Sequence, residues 1–136
     1  MFDPKESIQL QGNTGPFIQY THARIRALIR KSQEQNLNTQ RTFAPIDLHE
    51  SERMLIRMVG RYPHVLQEAA NQYAPSIMAN YAFDLAKEYN QFYQSVRIFG
   101  EPDLEKMTFR IALSEQVSNT IGMAMALLGI GVPEKM

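Results

Sequence analysis

The chain has 136 residues, of which 44% are hydrophobic and 21% charged, enough for one globular domain that buries about two-thirds of the surface its unfolded form exposes. Fourteen Lys and Arg balance fourteen Asp and Glu, which excludes a broad positive field that grips nucleic acid regardless of sequence; any RNA contact must be local. Having no cysteine excludes a disulfide framework, a thiolate zinc site and a cysteine nucleophile, and fits a cytoplasmic location. The opening MFDPKESIQLQ has no basic stretch followed by an apolar one, and no window approaches about 18 unbroken apolar residues, so neither signal peptide nor membrane contact is expected.

Strand signals are weak, because β-branched residues are scattered and no Asn-Gly or Asp-Gly turn appears. Gly12 and Gly15 flank Asn13 and Thr14 in a turn, and Pro16 pre-sets the first dihedral of a helix that Thr14 or Gly15 caps. That helix is expected to run to Glu34, and residues 35–45, rich in Asn, Gln and Thr, read as a loop. Asp47 with Glu50 suggests a capping box for a second helix carrying Leu48, Leu55, Ile56 and Val59 and ending near Gly60. Pro63, Pro75 and Pro102 then sit where helices start, because a first turn has no internal use for a backbone N–H. They predict a short helix over 62–73 and a long one over 75–96 with Tyr81, Leu85, Tyr89 and Tyr93 recurring every fourth residue. A last helix over 102–128 bears Leu104, Met107, Ile111, Ile121 and Met125 and is stopped by Gly129, Gly131 and Pro133. Five helices and no sheet make an all-α bundle.

Motifs for chemistry are missing. The Gly12 to Gly15 turn lacks the phosphate-loop pattern, and a plain helix-start turn accounts for it. His22, His49 and His64 have no metal-ligand spacing, and Ser51, Ser76, Ser95, Ser114 and Ser118 sit in no nucleophile elbow, so neither a metal site nor a catalytic residue is expected. The eight methionines read as adaptable core filler rather than a partner groove. Tyr81 reads as core, whereas Tyr93, near a helix end beside Gln94 and Ser95, is placed to be half exposed and to stack an unpaired base. Arg24, Arg26, Arg30 and Lys31 make one side of the first helix positive, which a solvated face explains almost as well as a phosphate contact.

The stretches FDPKESI, GNTGPFIQYTHARIR, LIRMVGRYPHVLQEAA, NYAFDLAKEYNQFY and ALLGIGVPEKM, with QYTHAR and VPEKM the specific pieces, span nearly the whole chain, and on them it resembles the C-terminal part of the arginyl-tRNA synthetases. The resemblance implies a five-helix anticodon-binding bundle of the DALR type over 16–136, joined through 1–15 to a catalytic domain that the chain lacks. It further implies that the loop at Gly12 and Asn13 approaches the anticodon arm and that Tyr20 stands beside the anticodon loop. Tyr93 would line the pocket for the central anticodon base through its N-x-x-Y motif, and the Met136 carboxylate would lie near that pocket. Phe17 stands where tyrosine is common in the family.

The expected function is therefore anticodon recognition on an arginine tRNA, with Arg24 as a backbone contact and the chain acting as a monomer. The resemblance places the ATP and magnesium of the arginine-activating reaction in the full-length enzyme, with no cofactor in this fragment and no activity from it alone. The rival reading is a helical protein-interaction module, in which methionine and tyrosine stripes form a groove for a partner helix.

Overall fold

The computed structural model describes residues 15–43 and 47–136. Five helices follow in order: α1 Gly15–Glu34, α2 Glu50–Gly60, α3 Tyr62–Asn71, α4 Pro75–Ser95 and α5 Leu104–Leu127, with no strand among the described residues. α5 packs against α1, α2 and α4, and α4 packs against every other helix. These two long helices therefore form the centre. In α1, Ile18, Thr21, Ile25, Leu28, Ile29 and Ser32 are buried at three- and four-residue intervals, so its inner stripe is the one its sequence period dictates. Tyr89, Phe92, Ile25, Leu55, Leu85, Ile111, Ile121 and Met125 are fully buried together in the core. Tyr81, Tyr89, Met78 and Met125 lie inside it and build core, whereas Tyr93 and Met123 stay exposed.

The helix ends correct three expectations. α2 is capped by His49, not Asp47: the His49 Nδ1 accepts from the Ser51 N–H at 3.1 Å, and the Glu52 carboxylate accepts from the His49 N–H at 3.0 Å. The register moves because Glu52, wholly buried, serves the cap and a buried ion pair at once. α5 starts after Pro102, where Asp103 Oδ1 accepts from the Glu105 and Lys106 N–H groups, which a proline ring cannot do. Leu104 consequently sits on an exposed first turn, 56% accessible, outside the expected stripe. α3 stops at Asn71, short of Tyr73. Tyr73 takes a left-handed φ of 51° and the Ala74 N–H reaches back to the Ala69 carbonyl at 3.0 Å. α5 ends the same way at Gly129, φ 74°, with the Ile130 N–H on the Met125 carbonyl at 2.9 Å; among the described residues only this glycine is left-handed.

Polar groups link the core helices. The Tyr89 hydroxyl donates to Ser114 Oγ at 3.1 Å, which donates to the Arg110 carbonyl at 2.8 Å, and the Tyr81 hydroxyl donates to the Met58 carbonyl at 2.6 Å. The Arg110 guanidinium bonds the Arg97 carbonyl at 2.7 Å, Glu101 at 3.0 Å and Glu52 at 3.4 Å. It thereby ties α5 to α2 and to the turn after α4.

Two outcomes follow from this buried polarity. Arg110→Ala strands the Glu52 carboxylate inside the protein and is expected to cost about 3–5 kcal/mol in chemical denaturation; a loss below about 1 kcal/mol would mean that water replaces the guanidinium. Burial pushes the Tyr81 phenol up to about 12 from its ordinary 10, against a smaller lowering by Arg61. Because the folded state holds this proton more tightly than the unfolded chain, its contribution is complete below pH 10 and lost as pH rises through about 12. Burial moves Tyr89 further in the same direction. Melting temperatures of wild type and Tyr81→Phe should therefore converge between pH 10 and 12, and parallel curves would contradict the assignment.

Candidate nucleic-acid interface

At one end of the bundle α1, the C-terminal turns of α4 and the residues after α5 enclose an open cleft of about 800 Å³. Four of the residues singled out from sequence, Tyr20, Arg24, Tyr93 and Met136, line it together. Gly12 and Asn13 lie outside the described residues. Tyr20 and Tyr93 keep 47% and 40% of their surface accessible, so each offers a ring to solvent although Tyr93 sits only one turn beyond the buried Tyr89. Between them lies Arg24. Its guanidinium carbon is 5.1 Å from the Tyr20 ring centre and 4.6 Å from that of Tyr93, within cation–π range of both. Its nitrogens donate to Asn90 Oδ1 at 2.7 Å and to the Tyr20 hydroxyl at 3.1 Å. Phe17 turns the other way and packs on Phe83, ring centres 5.7 Å apart, so it belongs to the core side of α1.

The cleft is cationic in a neutral protein. Arg24, Arg30, Lys31, Arg97 and Lys135 line it, and among the described residues only Arg30 of these five has a carboxylate within ion-pair distance, Glu134 at 3.7 Å. Lys31 rests over the Phe99 ring at 4.5 Å. Local excess charge arises because Arg24, Arg30 and Lys31 of α1 meet Arg97 and Lys135 here, with no Asp or Glu side chain among the lining residues. Sequence reading gave no role to Asn90, although it is the Asn of the N-x-x-Y motif, and missed Arg97, Phe99 and Lys135. For Asn90 a signal existed, since three residues before Tyr93 on a helix places it on the same side. For the others none did, because a turn and a chain end reach the cleft only through tertiary packing.

The segment after α5 is strapped along α1. Gln19 Nε2 donates to the Gly131 carbonyl at 2.9 Å, and His22 Nδ1, which must carry its proton because a carbonyl only accepts, donates to the Pro133 carbonyl at 2.9 Å. Arg26 pairs with Glu134 at 2.9 Å, and Arg30 donates to the Glu134 carbonyl at 3.1 Å. These bonds deliver Lys135 and Met136 to the cleft. His22 is thus a structural clamp. Among the described residues no group of three or more His, Asp or Glu could hold a metal ion, and no helix is long and apolar enough to cross a membrane.

Among the described residues the chain is an all-α bundle whose end cleft sets accessible tyrosines beside cations, a chemistry suited to single-stranded RNA. The model described as the DALR anticodon binding domain matches residues 18–136, and the chain belongs to that family. It is 50% identical over 136 residues to the arginine-tRNA ligase of Flavobacterium psychrophilum, covering 100% of this chain and 22% of that protein. It is 48% identical to the arginine-tRNA ligase of Bacteroides fragilis, covering 99% and 23%. Among solved structures, the arginyl-tRNA synthetase of Thermus thermophilus superposes with a TM-score of 0.76 at 28% identity, covering 99% of this chain and 23% of that one. The chain therefore spans less than a quarter of the length of these relatives.

His22→Leu keeps the volume of the clamp and removes its donor. The 15N order parameters of Val132 and Glu134 are expected to drop below about 0.6 in this variant. Unchanged values would show that the Gln19 and Arg26 contacts hold the strap unaided.

Proposed function

We propose that this chain recognises the anticodon loop of an arginine tRNA, as the anticodon-binding part of an arginine-tRNA ligase. The observation that carries the reading is the convergence of Tyr20, Tyr93, Arg24 and Met136 on one cationic cleft. Anticodon bases are unstacked, single-stranded targets, suited to aromatic stacking on Tyr20 and Tyr93 and to hydrogen bonds at their edges. Lys31, Arg97 and Lys135 stand free to meet the phosphates between those bases, which gives a local, salt-sensitive grip without a basic protein. Gly12 and Asn13 are assigned to the arm of the same stem-loop, and the Met136 end of the strap to the pocket beside Tyr93. The joining of arginine to its tRNA, with ATP and magnesium, belongs in this proposal to a catalytic domain acting in cis, and the ligase works as a monomer in the cytoplasm.

Binding of the chain to arginine tRNA and to a copy with a changed anticodon tests the reading. Cognate RNA should bind more tightly, and equal affinity for the two would sink it. Tyr93→Ala is expected to weaken cognate binding by about 1–3 kcal/mol while leaving thermal stability nearly intact, because that ring is accessible. A loss of only a few tenths would reduce Tyr93 to a packing residue.

A further inference from the structure

The Arg24 guanidinium is held by a hydrogen-bond chain whose every proton can be assigned. Thr21 Oγ1 donates to the Phe17 carbonyl at 3.0 Å, so its lone pairs remain free to accept, and the Asn90 Nδ2 donates to it at 2.8 Å. The second Nδ2 proton goes to the Ala86 carbonyl at 2.8 Å, one turn back on α4. The remaining atom of the carboxamide, Oδ1, therefore faces Arg24 and accepts from it at 2.7 Å. No flipped amide satisfies the set, since a carbonyl cannot donate and a guanidinium cannot accept. Asn90 thus spans α1 and α4 and presents an oxygen at one fixed point.

We propose that Asn90 is a positioning residue for RNA recognition: it fixes the Arg24 guanidinium in the gap between Tyr20 and Tyr93 before RNA arrives, and does so without neutralising it. This rests on the anticodon reading for its biological meaning, but not for its geometry. The guanidinium lies over both rings, 5.1 Å and 4.6 Å from their centres, so a wandering Arg24 would leave two accessible tyrosines without a common wall. A carboxylate in place of the amide would hold the arginine as well and cancel its charge. Asn90 supplies the same acceptor and no charge, and among the described residues no carboxylate lies within ion-pair distance of Arg24. Ordering a long, rotamer-rich side chain in the free protein removes that entropy cost from binding. The cation stays available for a phosphate or a base edge.

Two measurements test this on the chain itself. In 15N spectra of the free protein, Arg24 should show slowed guanidinium rotation with resolved Nη signals in wild type and averaged ones in Asn90→Ala. Resolved signals in Asn90→Ala would overturn the proposal. In binding to arginine tRNA, Asn90→Ala and Arg24→Ala should each weaken affinity about ten-fold, and the double variant should be little worse than Arg24→Ala alone. A full further ten-fold loss in the double variant would show that Asn90 acts independently of Arg24, and would also overturn it.

Asn90→Asp provides the check should the alanine variant fail to fold. It retains the acceptor, so the Arg24 signals should stay resolved, while the slope of log affinity against log salt should fall by about one because the cation is now paired. Averaged signals, or an unchanged slope in a chain that discriminates anticodons, would refute the role. If wild type binds cognate and altered tRNA equally, the anticodon reading fails while the spectra still decide what Asn90 does.

Discussion

The Arg110 guanidinium is the constraint on which the remaining geometry depends. It is nearly inaccessible, and three acceptors from separate parts of the chain converge on it: Glu52 in the first turn of α2, Glu101 before α5, and the Arg97 carbonyl after α4. A buried charge of this kind does little for net stability when complete and is severe when broken, so its value lies in specifying one arrangement. Here the arrangement includes the 97–100 turn, whose Arg97 and Phe99 form a wall of the cleft. Glu52 carries the same constraint into the cap of α2. The far side of the core and the rim of the cleft are thus set by one side chain.

The opposite rim is set by hydrogen bonds between α1 and the strap beyond α5. Helix α1 works on several sides at once: Ile18, Ile25 and Ile29 enter the core, Gln19, His22 and Arg26 hold the strap, and Tyr20 and Arg24 face the cleft. A neutral protein obtains a cationic site because the Glu134 carboxylate is engaged by Arg26 and Arg30, while Lys31, Arg97 and Lys135 are left unpaired among the described residues. Net charge alone therefore says nothing about local binding capacity. Affinity would then arise where stacking rings and free cations coincide, and its salt dependence would be limited to a few phosphates.

Much of this was legible in the residues. Prolines at 63 and 75, glycine at 129 and the four-residue recurrence of Tyr81, Leu85, Tyr89 and Tyr93 located the helices to within a few residues, because those signals act over one or two turns. The errors fall at ends decided from elsewhere. Asp47 and Glu50 have the spacing of a capping box, but Glu52 is drawn inside by Arg110, 58 residues away, and carries the cap to His49. Tyr73 ends α3 in a left-handed conformation that a tyrosine does not advertise. In the cleft, Tyr93 was readable as an aromatic beside polar residues near a helix end and Tyr20 only through the family resemblance, whereas Lys135 and Phe99 had no local mark of their role.

By itself the sequence determined the helical class, the number and rough limits of the helices, the buried identity of Tyr81, and the absence of thiol chemistry, all of which depend on short-range periodicity or composition. Only the tertiary structure decided that Tyr20, Arg24, Tyr93 and Met136 share one cleft, that His22 clamps a strap and that Asn90 aims an arginine. The hydrogen bonds among them join residues 66 and 111 positions apart. A hydrogen bond over such a separation exists only after the core has brought the helices together, so no local pattern can encode it.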